Sequence, residues 1–205
     1  RYQGGANAGH TVVTEAGKFA FHQIPSGLLY PEIKGLLGNG MVIDPFGFLD
    51  ELGALMSRGI DVDNRLFISS AAQVVMPWHK LLDTLNESDL DDRSIGSTRK
   101  GIGPAYSDKY SRRGMRMGDF LLDAGDFHDL VVEKAENANR IIEAFAAPPL
   151  SSKKVAADFM NVRDIISRMV VDSQEMIFAW KKAGKRMMLE GAQGTLLDID
   201  HGTYP

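Results

Sequence analysis

Between Met41 and Gly59 the chain carries its strongest constraint on fold. Met41-Val42-Ile43 is a short apolar run, and Asp44-Pro45 follows it without a spacer. Asp is a favoured helix cap, and Pro suits the first helical position because its missing N–H has no intrahelical partner there. Phe48, Leu49, Leu52, Leu55 and Met56 then recur at the helical period. That spacing predicts a helix to about Arg58 with one face on a core, stopped by Gly59. A buried strand running straight into a helix is the unit of an α/β fold.

The rest of the chain repeats this alternation. Thr11–Thr14 and Lys18–Ile24 are rich in Val, Phe and Ile around Glu15-Ala16-Gly17, which predicts a hairpin. Leu66–Ile68 reads as another buried strand, with a helix from about Pro77 to Leu85. Residues 86–100, including Asp89-Leu90-Asp91-Asp92, read as an exposed connection. Helical spacing returns from Asp126 to Phe145 and from about Ser152 to Lys182, separated by Pro148-Pro149. Met187–Leu189 reads as a central buried strand ending at Glu190. The expectation is an α/β fold with a mostly parallel central sheet flanked by helices and a β-hairpin near the N-terminus.

Composition excludes several classes of function. With 205 residues, 44% hydrophobic and 24% charged, the chain matches ordinary globular proteins. A formal charge of -4 argues against a nucleic-acid backbone as partner, since that needs an excess of Lys and Arg. The absence of cysteine excludes disulfides and thiolate chemistry and fits the cytoplasm. No apolar run approaches the roughly 20 residues of a membrane span. Arg1 is not a start methionine, and Pro205 follows Thr203-Tyr204 with no closing element. Residues 1–205 are therefore read as one partial domain, cut at both ends.

Three segments concentrate residues suited to ligand chemistry. Gln3-Gly4-Gly5-Ala6-Asn7-Ala8-Gly9-His10-Thr11 combines three glycines, two amides and a histidine. Glycines turn backbone N–H groups toward an anion, amides read a heterocycle edge, and His10 has an ordinary pKa near neutrality. The same spacing suits a plain glycine-rich turn with a satisfied histidine. The second segment runs from Gly96 through Ser97-Thr98-Arg99-Lys100-Gly101-Ile102-Gly103-Pro104-Ala105-Tyr106 to Lys109, Arg112, Arg113 and Arg116. Hydroxyls and glycines before a cationic helix make a phosphate cradle, although the Walker A spacing is absent. Lys109, Arg112 and Arg116 lie three and four apart, so a continuous helix would put them on one face. The alternative is a solvated basic helix.

The third segment is Leu189-Glu190-Gly191-Ala192-Gln193-Gly194-Thr195, continuing to Tyr204-Pro205. A glycine-rich turn after a strand is where open α/β sheets bind ligands, and Gln193 is its base reader or a solvated amide. Asp198, Asp200 and His201 also suggest a metal-dependent hydrolase. On a regular strand, however, His201 would point away from the two carboxylates.

In this order, the three segments resemble adenylosuccinate synthetase over essentially all 205 residues. Gly101 to Tyr106 with Lys109, Arg112, Gly114 and Arg116 matches one of that family's signature patterns. The resemblance implies a GTP-dependent ligase joining L-aspartate to IMP, with Mg2+ as cofactor. It implies that His10 is the catalytic proton donor and that Gly9, His10 and Thr11 line GTP. Asn7, Ala8, Gly9, His10, Thr98, Arg112 and Gln193 would meet IMP, and the Gly9 carbonyl would help hold the metal. Arg112 matches a residue supplied by the neighbouring subunit, which implies a homodimer.

Ala6 stands where larger polar residues are common in the family, and Arg99-Lys100 replaces a frequent glycine and arginine. The family's glycine-rich phosphate loop, with its aspartate base and lysine, would precede Arg1. Its aspartate-binding and guanine-reading segments would follow Pro205. The 205-residue chain alone is therefore expected to lack ligase activity. A non-catalytic purine-nucleotide-binding module is the alternative.

Overall fold

In a computed structural model, residues 1–15, 17–89, 96–198 and 200–203 are described. Ala16 of the hairpin turn, most of the acidic stretch at 89–92, Ile199 and Tyr204-Pro205 lie outside them. Among the described residues the architecture is α/β, with two parallel three-stranded ladders, one antiparallel hairpin and six helices.

The first ladder has β5 (Gly40–Ile43) between β1 (Gln3–Gly4) and β7 (Gln73–Val74). Its register pairs Gln3 with Gly40 and Val42 with Gln73. Met41, Val42 and Ile43 are all fully buried. Burial on both faces is why this strand reads as an unbroken apolar run rather than an alternating one. The second ladder has β6 (Leu66–Ser69) between β4 (Gly35–Leu37) and β8 (Val170–Val171).

The hairpin joins β2 (His10–Thr14) to β3 (Gly17–Phe21), with His10 opposite Phe21 and Thr14 opposite Gly17. On β3, Phe19 and Phe21 point inward while Lys18 and Ala20 face solvent. This is the period-2 pattern of a sheet with one wet face. The second strand stops at Phe21 rather than Ile24, because the amides of His22, Gln23 and Ile24 turn away to the Glu51 carboxylate at 3.0, 2.9 and 3.1 Å.

Helix α1 (Pro45–Met56) starts at the expected proline. Phe48, Leu52 and Leu55 are buried and Leu49 is half-buried, but Met56 is exposed and does not face the core. The Asp44 side chain does not cap the helix. Its Oδ2 accepts from Lys80 Nζ at 2.6 Å, and the buried Gln23 amide bonds both Asp44 N and Asp44 O. After the helix, Gly59 takes a φ of +78, the left-handed conformation of a helix stop.

Three helical expectations change. Helix α2 (Pro77–Asp89) runs longer than expected and absorbs the start of the proposed connection. The helix α3 (Ile102–Tyr110) ends before the arginines. The stretch from Ser152 to Lys182 is two helices, α5 (Ser152–Ser167) and α6 (Ser173–Lys182), divided by β8. Val170 and Val171 leave helical geometry because they pair with Ile68 and Ser69. The Asp172 carboxylate then caps α6 through the Gln174 and Glu175 amides.

Helix α4 (Ala124–Ala144) packs on α5. Its Phe127 lies 4.8 Å from Phe120, and Phe120 lies 6.2 Å from Phe159, centroid to centroid. All three rings are fully buried in the main core.

Met187–Leu189 is not a central buried strand. Met188 and Leu189 are each 79% exposed, and no strand is assigned there. Three apolar residues make a strand only where a neighbour supplies donors and acceptors. Just after this run, Tyr2 N donates to Glu190 O at 3.3 Å.

Candidate functional site

The first glycine-rich segment is the hub on which the other two converge. Residues 5–9 form the loop between β1 and β2, and His10 opens β2. Half-buried, the His10 ring stacks on Phe21 with centroids 5.6 Å apart and planes 23° apart. Cross-strand pairing with a fully buried aromatic fixes one face of the imidazole. Asn7, Gly9 and Thr11 are exposed, and Ala8 is half-buried with its carbonyl accepting from Arg1 Nη2 at 3.2 Å.

Gly9 lies against the exposed His22 ring. A Cβ there would stand 2.8 Å from His22 Nε2 and 2.9 Å from His22 Cδ2. His22, which spacing did not single out, therefore walls the loop immediately before His10.

The second segment reaches the hub through Ile102 and Tyr106. A Cβ on Gly5 would lie 2.6 Å from Val42 O and 2.7 Å from Ile102 Cδ1. The Gly4 amide donates to the Tyr106 hydroxyl at 3.0 Å, which donates in turn to Gly40 O at 2.7 Å. Burial raises the Tyr106 phenol above its ordinary pKa, partly opposed by the Gly4 hydrogen bond. Upstream, Asp83 organises the loop, accepting from Ser97 Oγ at 3.0 Å and Gly101 N at 2.9 Å. Thr98 is exposed between these anchors, and Lys100 lines a hollow of about 290 Å³ with Ala6, His22, Asp44 and Glu51. A larger hollow of about 610 Å³, lined by Val13, Phe19, Leu29, Tyr30 and Ile60, contains none of the three segments' singled-out residues.

The shared helical face for Lys109, Arg112 and Arg116 is overturned. Only Lys109 is on α3. Arg112 is exposed, with a left-handed φ of +60, and Arg116 is extended ahead of a 3-10 turn at Met117–Leu121. Lys109 Nζ instead donates to Asn39 O at 2.6 Å. Burial lowers the Lys109 pKa, and the positive charge of Arg116 lowers it further.

The third segment meets the hub at Gly4. A Cβ on Gly4 would overlap the Ala192 methyl and stand 3.7 Å from Gln193 Oε1. Gln193 is half-buried there. Glu190, also missed by spacing, accepts from Ser26 N at 3.1 Å and Ser26 Oγ at 2.9 Å, and lies 4.0 Å from the Arg1 guanidinium. Asp198 Oδ1 accepts the Asp200 and His201 amides at 3.0 Å each, which holds its carboxyl below the usual range. The carboxylate is thus turned back on its own chain. Among the described residues, no three His, Asp or Glu side chains cluster as a metal site.

These contacts place the segments of the sequence signature around one backbone junction. The family model described as adenylosuccinate synthetase matches residues 1–205. The chain belongs to the adenylosuccinate synthetase family.

Similarity to members of the family is close in sequence and fold. An adenylosuccinate synthetase of Aliivibrio fischeri is 45% identical over 206 residues, covering 100% of this chain and 47% of the relative. One from Pseudoalteromonas atlantica is 46% identical, covering 100% and 48%. The structure of fully ligated adenylosuccinate synthetase from Plasmodium falciparum superimposes with a TM-score of 0.90 at 32% identity, over 100% of this chain and 47% of that one. The chain spans about half the length of the curated relatives it matches.

Proposed function

We propose that this chain supplies part of the active site of an adenylosuccinate synthetase, a GTP-dependent ligase of L-aspartate and IMP in purine nucleotide synthesis. The observation that carries the reading is the meeting of the three segments at Gly4, through Tyr106 on one side and Ala192 with Gln193 on the other. Family membership over residues 1–205 supplies the reaction.

In that reaction, O6 of IMP attacks the γ-phosphorus of GTP and GDP leaves. The aspartate amine then attacks C6 of 6-phosphoryl-IMP and expels phosphate. Such phosphoryl transfer is mainly a matter of positioning and charge neutralisation. His10 is the proton donor to the phosphate being split, held by its stack on Phe21. Gly9, His10 and Thr11 line GTP. Asn7, Ala8, Gly9, His10, Thr98 and Gln193 contact IMP, and Arg112 reaches the IMP site of the other subunit of a homodimer.

At Gly9 the loop is exposed backbone with no side chain of its own to screen the carbonyl. A carbonyl oxygen there fits Mg2+, a hard ion that takes oxygen ligands and draws most of them from phosphates and water. When bound, the ion supplies charge neutralisation on the nucleotide phosphates. A cytoplasmic setting agrees with the absence of cysteine. No described helix is long and apolar enough to cross a membrane.

The test uses the complete protein with IMP, GTP, aspartate and Mg2+. Phosphate release should depend on aspartate and vanish in His10→Asn, with IMP binding largely kept. Near-normal turnover of His10→Asn would remove His10 as the donor, and aspartate-independent hydrolysis would sink the ligase reading. The 205-residue chain alone should give no aspartate-dependent phosphate release. IMP or GTP binding without turnover in the complete protein would favour the non-catalytic module.

A further inference from the structure

His79 is almost wholly buried, with 1% of its surface exposed. Its two ring nitrogens do different work. Nδ1 accepts the Met76 amide at 3.0 Å, so the proton of the neutral ring sits on Nε2. That N–H donates to Asp108 Oδ2 at 3.0 Å. A backbone amide on the α2 side thus fixes the tautomer that bonds to α3.

Asp108 is held at both ends. Its carboxylate is bound by His79, and its carbonyl accepts Arg113 N at 2.9 Å, Gly114 N at 3.1 Å and Ser111 Oγ at 3.2 Å. Those bonds close the turn that follows α3. Arg112 stands within it, its N–H on Lys109 O at 3.1 Å and its backbone left-handed. Such a φ is uncommon for a residue other than glycine and persists where the surroundings over-determine it. Gly114 completes the closure, because a Cβ there would overlap the Gln73 amide and touch Asp108 Cβ at 3.4 Å.

We propose that His79 and Asp108 are positioning residues that fix the left-handed turn presenting Arg112 to IMP in the neighbouring subunit. The inference rests on the reading above that Arg112 serves an IMP site in trans. A hydrogen bond to an ionised group in a half-buried place is among the stronger ones, so losing it loosens the turn rather than only the helix contact. Neither residue touches substrate, and the consequence appears one subunit away.

The test compares variants of the complete protein by their KM values for IMP and GTP. His79→Asn keeps an acceptor near the Met76 amide but cannot reach Asp108. It should raise the KM for IMP about tenfold, the size expected from one hydrogen bond to a charged group, and leave the KM for GTP unchanged. His79→Gln restores a donor at the Nε2 position and should return the KM for IMP toward that of the unaltered protein.

A mixed dimer of one His79→Asn subunit and one His10→Asn subunit has a single live site, which receives Arg112 from the subunit with an intact His79. Its KM for IMP should be normal, and a raised value would overturn the action in trans. Should His79→Asn fail to fold, Asp108→Ala should give the same rise. A lowered Tm with an unchanged KM for IMP in these variants, while Arg112→Ala raises it, would overturn the positioning role and leave the ligase reading standing. An unchanged KM for IMP in Arg112→Ala would remove the reading of Arg112 and this inference with it.

Discussion

A Cβ on Gly4 would overlap the methyl group of Ala192, so these two residues meet only because Gly4 has no side chain. One lies on β1 and the other in the turn after Glu190. Their contact brings Gln193 beside the first glycine-rich segment. Gly4 also has a φ of +84, so its backbone and its surroundings both demand glycine.

Gly4→Ala should therefore destabilise the fold by about 2 kcal/mol or more, from left-handed strain and overpacking together. Thermal unfolding measures the loss. Affinity for IMP should fall further than stability explains, because the displaced turn carries Gln193; unchanged affinity would count against Gln193 as an IMP contact.

Tyr106→Phe removes the hydroxyl that serves both Gly4 N and Gly40 O. Leaving such part-buried groups unsatisfied costs about 1 kcal/mol, the low end of the range for buried ones. The raised Tyr106 pKa adds a pH signature. The folded state holds this proton more tightly than the unfolded one, so the contribution is complete below about pH 10 and is lost as pH rises through the folded value. Denaturant titrations between pH 9 and 11 should show a shallower alkaline loss in Tyr106→Phe.

Glu51→Gln replaces a carboxylate that accepts three consecutive amides with a group that presents a donor to them. The expected cost is about 1–3 kcal/mol. Hydrogen exchange should quicken at His22, Gln23 and Ile24 more than at Met41 to Ile43. Uniform change across both segments would refute a local anchoring role for Glu51.

The Asp108 carboxyl is held below the usual carboxylate range, chiefly by the His79 hydrogen bond and against the effect of burial. Its folded pKa lies under the unfolded one, so its contribution is complete above about pH 4 and disappears as pH falls through the folded value. Asp108→Asn should lower stability at pH 7 and flatten its decline on acidification, measured by urea unfolding from pH 7 to pH 3.

Sequence by itself determined the features whose cause lies within a few neighbouring residues. Pro45 and Gly59 mark the limits of a helix because one fits its first turn and the other its stop, and the spacing of Phe48, Leu52 and Leu55 selects the buried face. The hairpin, the long helix near 124–144 and the three ligand-suited segments are legible for the same local reason. Tertiary structure decided what depends on distant partners. Val170-Val171 becomes a strand because β6 lies beside it, whereas the longer apolar run Met187–Leu189 forms no strand and stays exposed. Arg112 leaves the helical face of Lys109 in a turn whose Gly114 fits closely against the distant Gln73 amide. Periodicity records which way a side chain points; whether a backbone amide finds its acceptor, or a glycine another chain segment, depends on residues tens to more than a hundred positions away.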